Sequence, residues 1–317
     1  MKKLCFFIFS IVMIFNLSAK EHDFSIGADL GSLSGLAQEV VYRDAKSDNK
    51  LSELRWNFNS LTYIGLDIKY SWLKPGNNWG LFANGFLKYG LFSELDVMED
   101  RDWMDAKYTN WLTHYSVHDN KTESANLIDC NLGASFLVSQ KFLLKAYISY
   151  HYMYFSWTAS GGSILYPSWD TDGDGRPDGD HLPLFVFYDE VGRYEQTWHI
   201  FSPAISFYGE FNRFFDIEIA FEVTPFIWCV AIDKHLLRDL VITDLLSGGL
   251  FIEPSFLFSY KPSDHFVLSL SCTYREINNS RGDTRYKYAE QTPTIEKNLS
   301  GAGYKAFDIG IISKFRF

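Results

Sequence analysis

The stretch Phe215-Asp216-Ile217-Glu218-Ile219-Ala220-Phe221-Glu222-Val223 carries an apolar side chain at every odd position and a charged or small one at every even position. Successive side chains of an extended backbone point to opposite faces, so this period of two sorts the residues onto one greasy and one polar face, which a helix would not do. The pattern recurs in Ile128, Cys130, Leu132, Ala134, Phe136 and Val138, and again in Phe266, Leu268, Leu270, Cys272 and Tyr274. Such stretches predict about ten strands, near residues 24 to 43, 51 to 73, 79 to 95, 120 to 139, 141 to 168, 190 to 212, 214 to 235, 241 to 262, 264 to 285 and 300 to 317.

Composition says which environment the greasy face meets. The 317 residues are 47% hydrophobic and 18% aromatic, with 28 Phe, 19 Tyr and 9 Trp, a content that excludes a disordered chain. Beyond the first residues there is no apolar run of roughly 20, the length a membrane-spanning helix needs. The polar parity carries charges such as Lys88, Glu218, Glu222 and Glu253, and the chain ends in an alternating strand closed by Phe315 and Phe317. An even strand number with apolar residues outward and charges inward predicts an all-β fold, a closed antiparallel ten-stranded transmembrane β-barrel. Several segments exceed 20 residues, whereas about 9 to 11 cross the hydrocarbon, so the barrel is expected to stand well above the membrane. Short links near Gly76 to Asn78, Gln140, Asn212 and Pro262 to Asp264 read as periplasmic turns. Residues 96 to 119, 167 to 190, 233 to 244 and 276 to 300 read as extracellular loops. Ten strands enclose too little space for a wide pore, so side chains should largely fill the interior.

Lys2 and Lys3 precede the apolar run Leu4 to Phe15, and Ala19 follows at a suitable distance, so residues 1–19 read as a secretory signal peptide and 20–317 as one barrel domain. The mature chain then holds 27 basic against 39 acidic side chains, a formal charge of −12. Nucleic acid is excluded as a partner, because phosphate binding needs a basic footprint. Cys130, Cys229 and Cys272 are an odd number on apolar parities, and read as small hydrophobes facing a greasy environment rather than as a disulfide framework.

Two acidic groups lie in the outer segments: Glu99-Asp100-Arg101-Asp102-Trp103-Met104-Asp105 and Asp233-Lys234-His235. Residues two apart share a face of an extended chain, so Asp100 can converge with Asp102, and Asp233 with His235. A carboxylate that orients an imidazole lets the imidazole take a proton from water, and two facing carboxylates can hold that water and share a proton. Taken singly, an Asp-x-His is commonplace on solvated loops. There is no Gly-x-Ser-x-Gly or His-Glu-x-x-His, and the remaining histidines lack metal-ligand spacing, which disfavours Ser- and zinc-based hydrolysis.

These blocks resemble the omptin family of outer-membrane proteases. Asp100-Arg101-Asp102-Trp103-Met104-Asp105 is similar to the family's Asp-x-Asp-Trp-Met-Asp, and Asp233-Lys234-His235 to its Asp-x-His. Gly31 to Tyr42 (GSLSGLAQEVVY), Ser52 to Asn59 (SELRWNFN), Ser156 to Ser163 (SWTASGGS), Gly282 to Thr284 (GDT) and Gly301 to Gly303 (GAG) extend the likeness over the whole mature chain. The resemblance implies an aspartic-type endopeptidase of the cell outer membrane with its active site facing outward. Asp233 and His235 would activate a water that Asp100 and Asp102 position, no cofactor would be required for catalysis, and the partners would be a polypeptide substrate and outer-membrane lipid, met by a monomer. The alternative is a non-catalytic omptin-fold adhesin that binds host protein through its loops. Glu39 matches one carboxylate of the family's basic-residue pocket, while Ala231 replaces the other, which predicts a relaxed preference for Arg or Lys. Of the positions that clamp lipopolysaccharide, Tyr150 is matched, but Tyr152, Tyr154 and Thr197 stand where Glu and Arg are expected, which predicts a different lipid environment.

Two further expectations come from the residues themselves. Strict alternation from Phe215 would leave Asp233 and His235 on the lipid parity of their strand, so a register break is required, and the loss of alternation in Trp228 to Ile232 places it there. The segment from Asp170 to Asp178 spaces Asp170, Asp172, Asp174 and Asp178 as in short calcium loops, and predicts a structural calcium or else an acidic surface loop.

Overall fold

A computed structural model of the chain describes residues 22–73, 76–93, 96–165, 185–289 and 291–317. Residues 1–19, read as the signal, and the Asp170 segment lie outside them. Fourteen strand segments occur among the described residues: β1 (His22–Tyr42), β2 (Lys50–Trp72), β3 (Trp79–Phe92), β4 (Asp96–Asp102), β5 (His114–Ser139), β6 (Phe142–Leu165), β7 (Phe185–Val186), β8 (Glu190–Asn212), β9 (Phe215–Thr224), β10 (Ile227–His235), β11 (Leu240–Ser247), β12 (Leu250–Ser263), β13 (Phe266–Tyr288) and β14 (Thr294–Arg316). Three pairs, β3 with β4, β9 with β10, and β11 with β12, are each one stave interrupted once. With β7 a short addition beside β6, ten staves pair antiparallel in sequence, and β14 returns to β1 from Ser25↔Arg316 to Val41↔Ser300. Closure leaves no open edge, which is the condition for a sheet in lipid. The terminal Phe317 N–H donates to the carbonyl of Phe24 at 2.9 Å, sealing the seam at the periplasmic end.

The long strands replace part of the expected loops. β4, the first residues of β5 and β14, and the last of β13 pair where loops were expected at 96–119 and 276–300, and β10 and β11 reduce the loop at 233–244 to the short turn Leu236–Arg238. Above the bilayer both faces of a strand meet polar surroundings, so alternation fades although pairing continues. A 23-residue strand tilted by about 40° stands roughly 55 Å tall, against an apolar band of about 25 Å. The outer face records the change. Leu30, Ile64, Leu87, Leu132, Ile219 and Ile311 are exposed below, whereas Glu53, Arg55, Glu99, Arg101, Arg281 and Asp283 follow on outward positions above.

The interior has three layers. In the lower, membrane-embedded part, charges pair across the lumen: Lys145 Nζ lies 2.6 Å from Glu218, Lys314 Nζ 3.0 Å from Asp67, Lys88 Nζ 2.5 Å from Asp308, and Arg275 binds both Glu253 and Asp129. His151 bridges Asp129 at 2.7 Å and Glu222 at 2.9 Å. Buried charges of this kind persist only where partners offset their desolvation. Two residual spaces of about 150 and 250 Å³ remain among them. Above lies a stack of fully buried rings, with Phe58 against Phe155 at 5.7 Å, Phe155 against Trp157 at 5.4 Å and Tyr304 at 5.2 Å, and Trp56 against Tyr194 at 5.4 Å. This layer closes the lumen, as the strand count predicted, and separates the charged network from the mouth.

The layer coincides with a belt of register breaks. Glu222 pairs with Ala204 and Ile227 with Ile200, so β9 and β10 spend five steps where β8 spends four. The extra residue lies at Pro225 and Phe226, both exposed, two to three residues before the start of the expected Trp228 to Ile232. Pro225 has no N–H to give the ladder, which makes it the natural point of interruption. The Phe226 N–H turns to Thr224 Oγ1 at 3.1 Å and the Ile227 N–H to the Pro225 carbonyl at 3.0 Å. The neighbouring stave accommodates the break at Gly248 and Gly249, with φ of +73° and +91°. A Cβ on Gly249 would fall 2.3 Å from the Asn278 carbonyl oxygen. Next, Asn278 and Asn279 (φ +54°) absorb it on β13, where Ile277↔Tyr304 and Ser280↔Ala302 leave one residue over. Across the barrel β2 does the same at Ser60, φ +52°. Below the belt even residues of β9 face inward; above it odd residues of β10 do. Ile227 and Cys229 are therefore buried inside rather than facing lipid, a correction to their expected side, while Cys130 stays exposed.

Candidate active site

Above the belt the inward positions of β10 are Ala231, Asp233 and His235, and those of β4 are Met98, Asp100 and Asp102. β4 is held by β2 and β5, and β10 by β8 and β11, on nearly opposite sides of the ring. The two acidic groups read from the sequence thus face each other over the mouth. The remainder of the Trp103-Met104-Asp105 block holds the hairpin: the Trp103 N–H donates to the Leu51 carbonyl at 2.9 Å, the Asp105 side chain accepts from the N–H groups of Lys107 and Tyr108, and Arg43 reaches the Asp105 carbonyl at 2.7 Å.

His235 Nε2 lies 2.6 Å from Asp233 Oδ2. The approach is close but off the hydrogen-bond line, and Oδ2 has no other partner. Burial opposes a charge on His235, but the Asp233 carboxylate outweighs it, and the imidazole titrates above its ordinary value. Its side chain is 27% exposed against 4% for Asp233, so water reaches the ring while the carboxylate stays behind it. Burial and the neighbouring Asp102 push Asp100 up to about 7, opposed by His235. Asp102 is also raised, by burial, against the Ser52 hydroxyl and the charge of His114. Two carboxylates so placed hold one proton between them near neutrality.

Glu39, on β1, is only 2% exposed, and its Oε2 has no partner. Burial, then the charges of Asp233, Asp244 and Asp100, hold it well above the carboxylate range. All five predicted residues therefore share one acidic cleft. Sequence reasoning missed four groups that act on it. Arg238, on the turn after the dyad, favours the ionised forms of Asp100 and Asp102. His114 and Ser52 pair with Asp102 in the register of β5 and β2, so His114, one of the histidines without metal-ligand spacing, belongs to the cleft. Asp244 is 2% exposed and raised to about 6 by burial, against hydrogen bonds from Thr284 and Ser300. Its inward parity is hidden in the run Leu240-Val241-Ile242, where both faces are apolar.

Outside the cleft, Tyr150, Tyr152, Tyr154 and Thr197 lie on the outer face near the upper membrane edge. The Tyr150 hydroxyl lies 2.8 Å from His199 Nδ1, and Phe201 stands edge-on to Trp228. Among the described residues no group of three or more His, Cys, Asp or Glu side chains has the arrangement to hold a metal ion.

A closed ten-stave barrel with an apolar waist, a plugged lumen and an outward-opening cleft of Asp and His side chains defines a bacterial outer-membrane protein whose site faces the cell exterior. The chain belongs to the omptin family, whose sequence profile matches residues 20–317. It is 26% identical over 297 residues to the plasminogen activator of Yersinia pestis, covering 93% of this chain and 89% of that one. It is likewise 26% identical over 289 residues to the outer membrane protease OmpP of Escherichia coli K12, covering 88% and 85%. In structure it resembles the outer membrane protease OmpT of Escherichia coli, with a TM-score of 0.81 at 22% identity over 93% of this chain and 97% of that one.

Proposed function

We propose that the protein is an outer-membrane endopeptidase that hydrolyses polypeptides at the cell surface by an Asp/His-activated water. The observation that carries this reading is the convergence of the Asp233/His235 pair and the Asp100/Asp102 pair from opposite staves, each kept inward by parity. With Nε2 turned to Asp233, His235 presents Nδ1 to a water held against Asp100. As the water oxygen adds to the peptide carbonyl carbon, His235 takes its proton, and Asp233 stabilises the imidazolium. The proton shared by Asp100 and Asp102 hydrogen-bonds the developing oxyanion. Collapse breaks the C–N bond, and His235 returns its proton to the departing amine.

The acidic cleft suits cationic peptides, and Glu39, level with Asp100 in the strand register, supports a preference for Arg or Lys before the cut. A peptide library without such enrichment would remove that preference. A non-catalytic adhesin needs none of the four facing side chains, and the named protease relatives favour the enzyme. Cleavage of a peptide by the refolded protein beside Asp100→Ala and His235→Ala variants tests the whole. Activity in the parent alone supports the endopeptidase, whereas equal activity or none in all three overturns it. The closed barrel leaves no edge for pairing with another copy, which supports a monomer.

A further inference from the structure

β10 and β11 pair in a register that sets Ala231 directly opposite Asp244. Both point into the lumen, at 1% and 2% exposure. Directly opposed residues of antiparallel strands hold their Cβ atoms about 5 Å apart, so the Asp244 carboxylate stands beside the position where Ala231 carries only a methyl group. Glu39, whose Oε2 is buried and unpartnered, is near enough to feel the charges of both Asp233 and Asp244. The Thr284 hydroxyl donates to one Asp244 oxygen at 2.8 Å, and Ser300 also hydrogen-bonds the carboxylate. The rings of Tyr194 and Tyr286 lie within the field of both carboxylates.

We propose that Asp244 and Glu39 together form the pocket for a cationic side chain of the substrate, Asp244 supplying from the neighbouring strand the carboxylate that position 231 lacks. This deepens the endopeptidase reading and rests on it. Two buried carboxylates, one of them with an unpartnered oxygen, are costly unless a cation arrives, and a guanidinium, with a fork of donors and a flat face for a tyrosine, answers both needs. An uncharged side chain in the same place leaves both acids unpaired, and sites of this kind discriminate strongly because the penalty falls on the wrong ligand. The pocket also binds its cation with release of a proton, since burial keeps the empty pair from ionising fully.

The experiment compares the parent, Asp244→Asn and the double variant Asp244→Ala/Ala231→Asp. Two peptides differing only in Arg or Gln before the scissile bond give the ratio of kcat/KM, and titration with agmatine, read by tryptophan fluorescence, gives guanidinium binding without turnover. The Arg/Gln ratio is expected to fall at least tenfold in Asp244→Asn, chiefly through KM, with agmatine binding weakened to a similar degree. The double variant should recover most of both, which a structural defect would not allow. In the parent, agmatine binding should tighten as pH rises through 6, and in Asp244→Asn that slope should flatten. An unchanged ratio together with unchanged agmatine binding overturns the proposal. A parent that cleaves neither peptide yet binds agmatine in an Asp244-dependent way would instead retire the endopeptidase reading and leave the pocket standing.

Discussion

Asp233 and His235 stand two residues apart on one strand with Oδ2 and Nε2 2.6 Å apart, the carboxylate buried and the imidazole open to solvent. Burial alone would lower the titration of His235; the carboxylate raises it above its ordinary 6.5. A base must be neutral to accept a proton, so activity should rise with pH through that elevated value. Asp233→Asn removes the largest raising influence and leaves burial and Arg238 opposed only by Asp100, so the acidic limb of the kcat/KM profile should move to lower pH while kcat falls about 10²- to 10⁴-fold. A slowed enzyme whose acidic limb stays in place would refute the pairing.

Asp100, held at about 7 by burial and by Asp102, allows a prediction with two readouts. A carboxyl whose folded value is raised stabilises the fold below its unfolded value, near 3.8, and loses that contribution as pH climbs through 7. At pH 8 the ionised group is a cost, which Asp100→Asn removes without changing shape. The variant should raise the thermal midpoint at pH 8, by a free energy on the order of 1–2 kcal/mol after allowance for solvent, and leave it unaltered at pH 4. Peptide cleavage should drop by 10² or more. Equal shifts at both pH values would show that the Asp100 carboxyl is not raised.

Below the belt of bulges the fold was legible because one face of each strand meets lipid: Phe215 to Val223 and Ile128 to Val138 carry their side in their composition. The proposed catalytic residues were legible as short blocks, since Asp100 and Asp102, like Asp233 and His235, stand two apart on one strand. What resisted reading was register. Phe226 and Trp228 are both aromatic and both exposed, so nothing in their chemistry marks the residue that flips the parity; Pro225, the one residue unable to donate to the ladder, was the available signal. Asp244 stayed hidden for a related reason, because its value to the cleft depends on standing opposite Ala231, a relation between strands that no single segment displays.

In the lower lumen Arg275 sits between Glu253 and Asp129, 8% exposed. Arg275→Met leaves buried Glu253 without its counter-charge and Asp129 with His151 alone, and should destabilise the barrel by about 3–5 kcal/mol, read as a lower urea midpoint in micelles. Lys297, whose partner is Asp283 but which is 77% exposed, makes the contrast. Lys297→Met should change stability by less than about 0.5 kcal/mol. Comparable losses in the two variants would mean that the lumen network is not the stabilising core described above.

The extra residue at Pro225–Phe226 is confined to the break between β9 and β10. Deleting Phe226 leaves four steps from Glu222 to Ile227, matching the four from Ala204 to Ile200, so Ile227↔Ile200 and every pair above it can stay in place, with Gly248 and Gly249 taking up the difference on the neighbouring stave. Asp233, His235 and Cys229 keep their inward side, and peptide cleavage should be largely retained, as in Phe226→Ala, because Phe226 is exposed. Deleting Ile232 instead removes a residue where β10 pairs with β8 one for one. A one-residue slip moves every side chain beyond it to the other face, so Asp233 and His235 turn outward, Lys234 turns inward, and cleavage should vanish. The Phe226 deletion can also be read without activity. In a Cys130→Ser/Cys272→Ser background the remaining thiol, Cys229, is 2% exposed and should resist an apolar maleimide in the folded barrel, with and without Phe226. A Phe226 deletion that folds, loses cleavage and exposes Cys229 would show that the extra residue is not absorbed within the break.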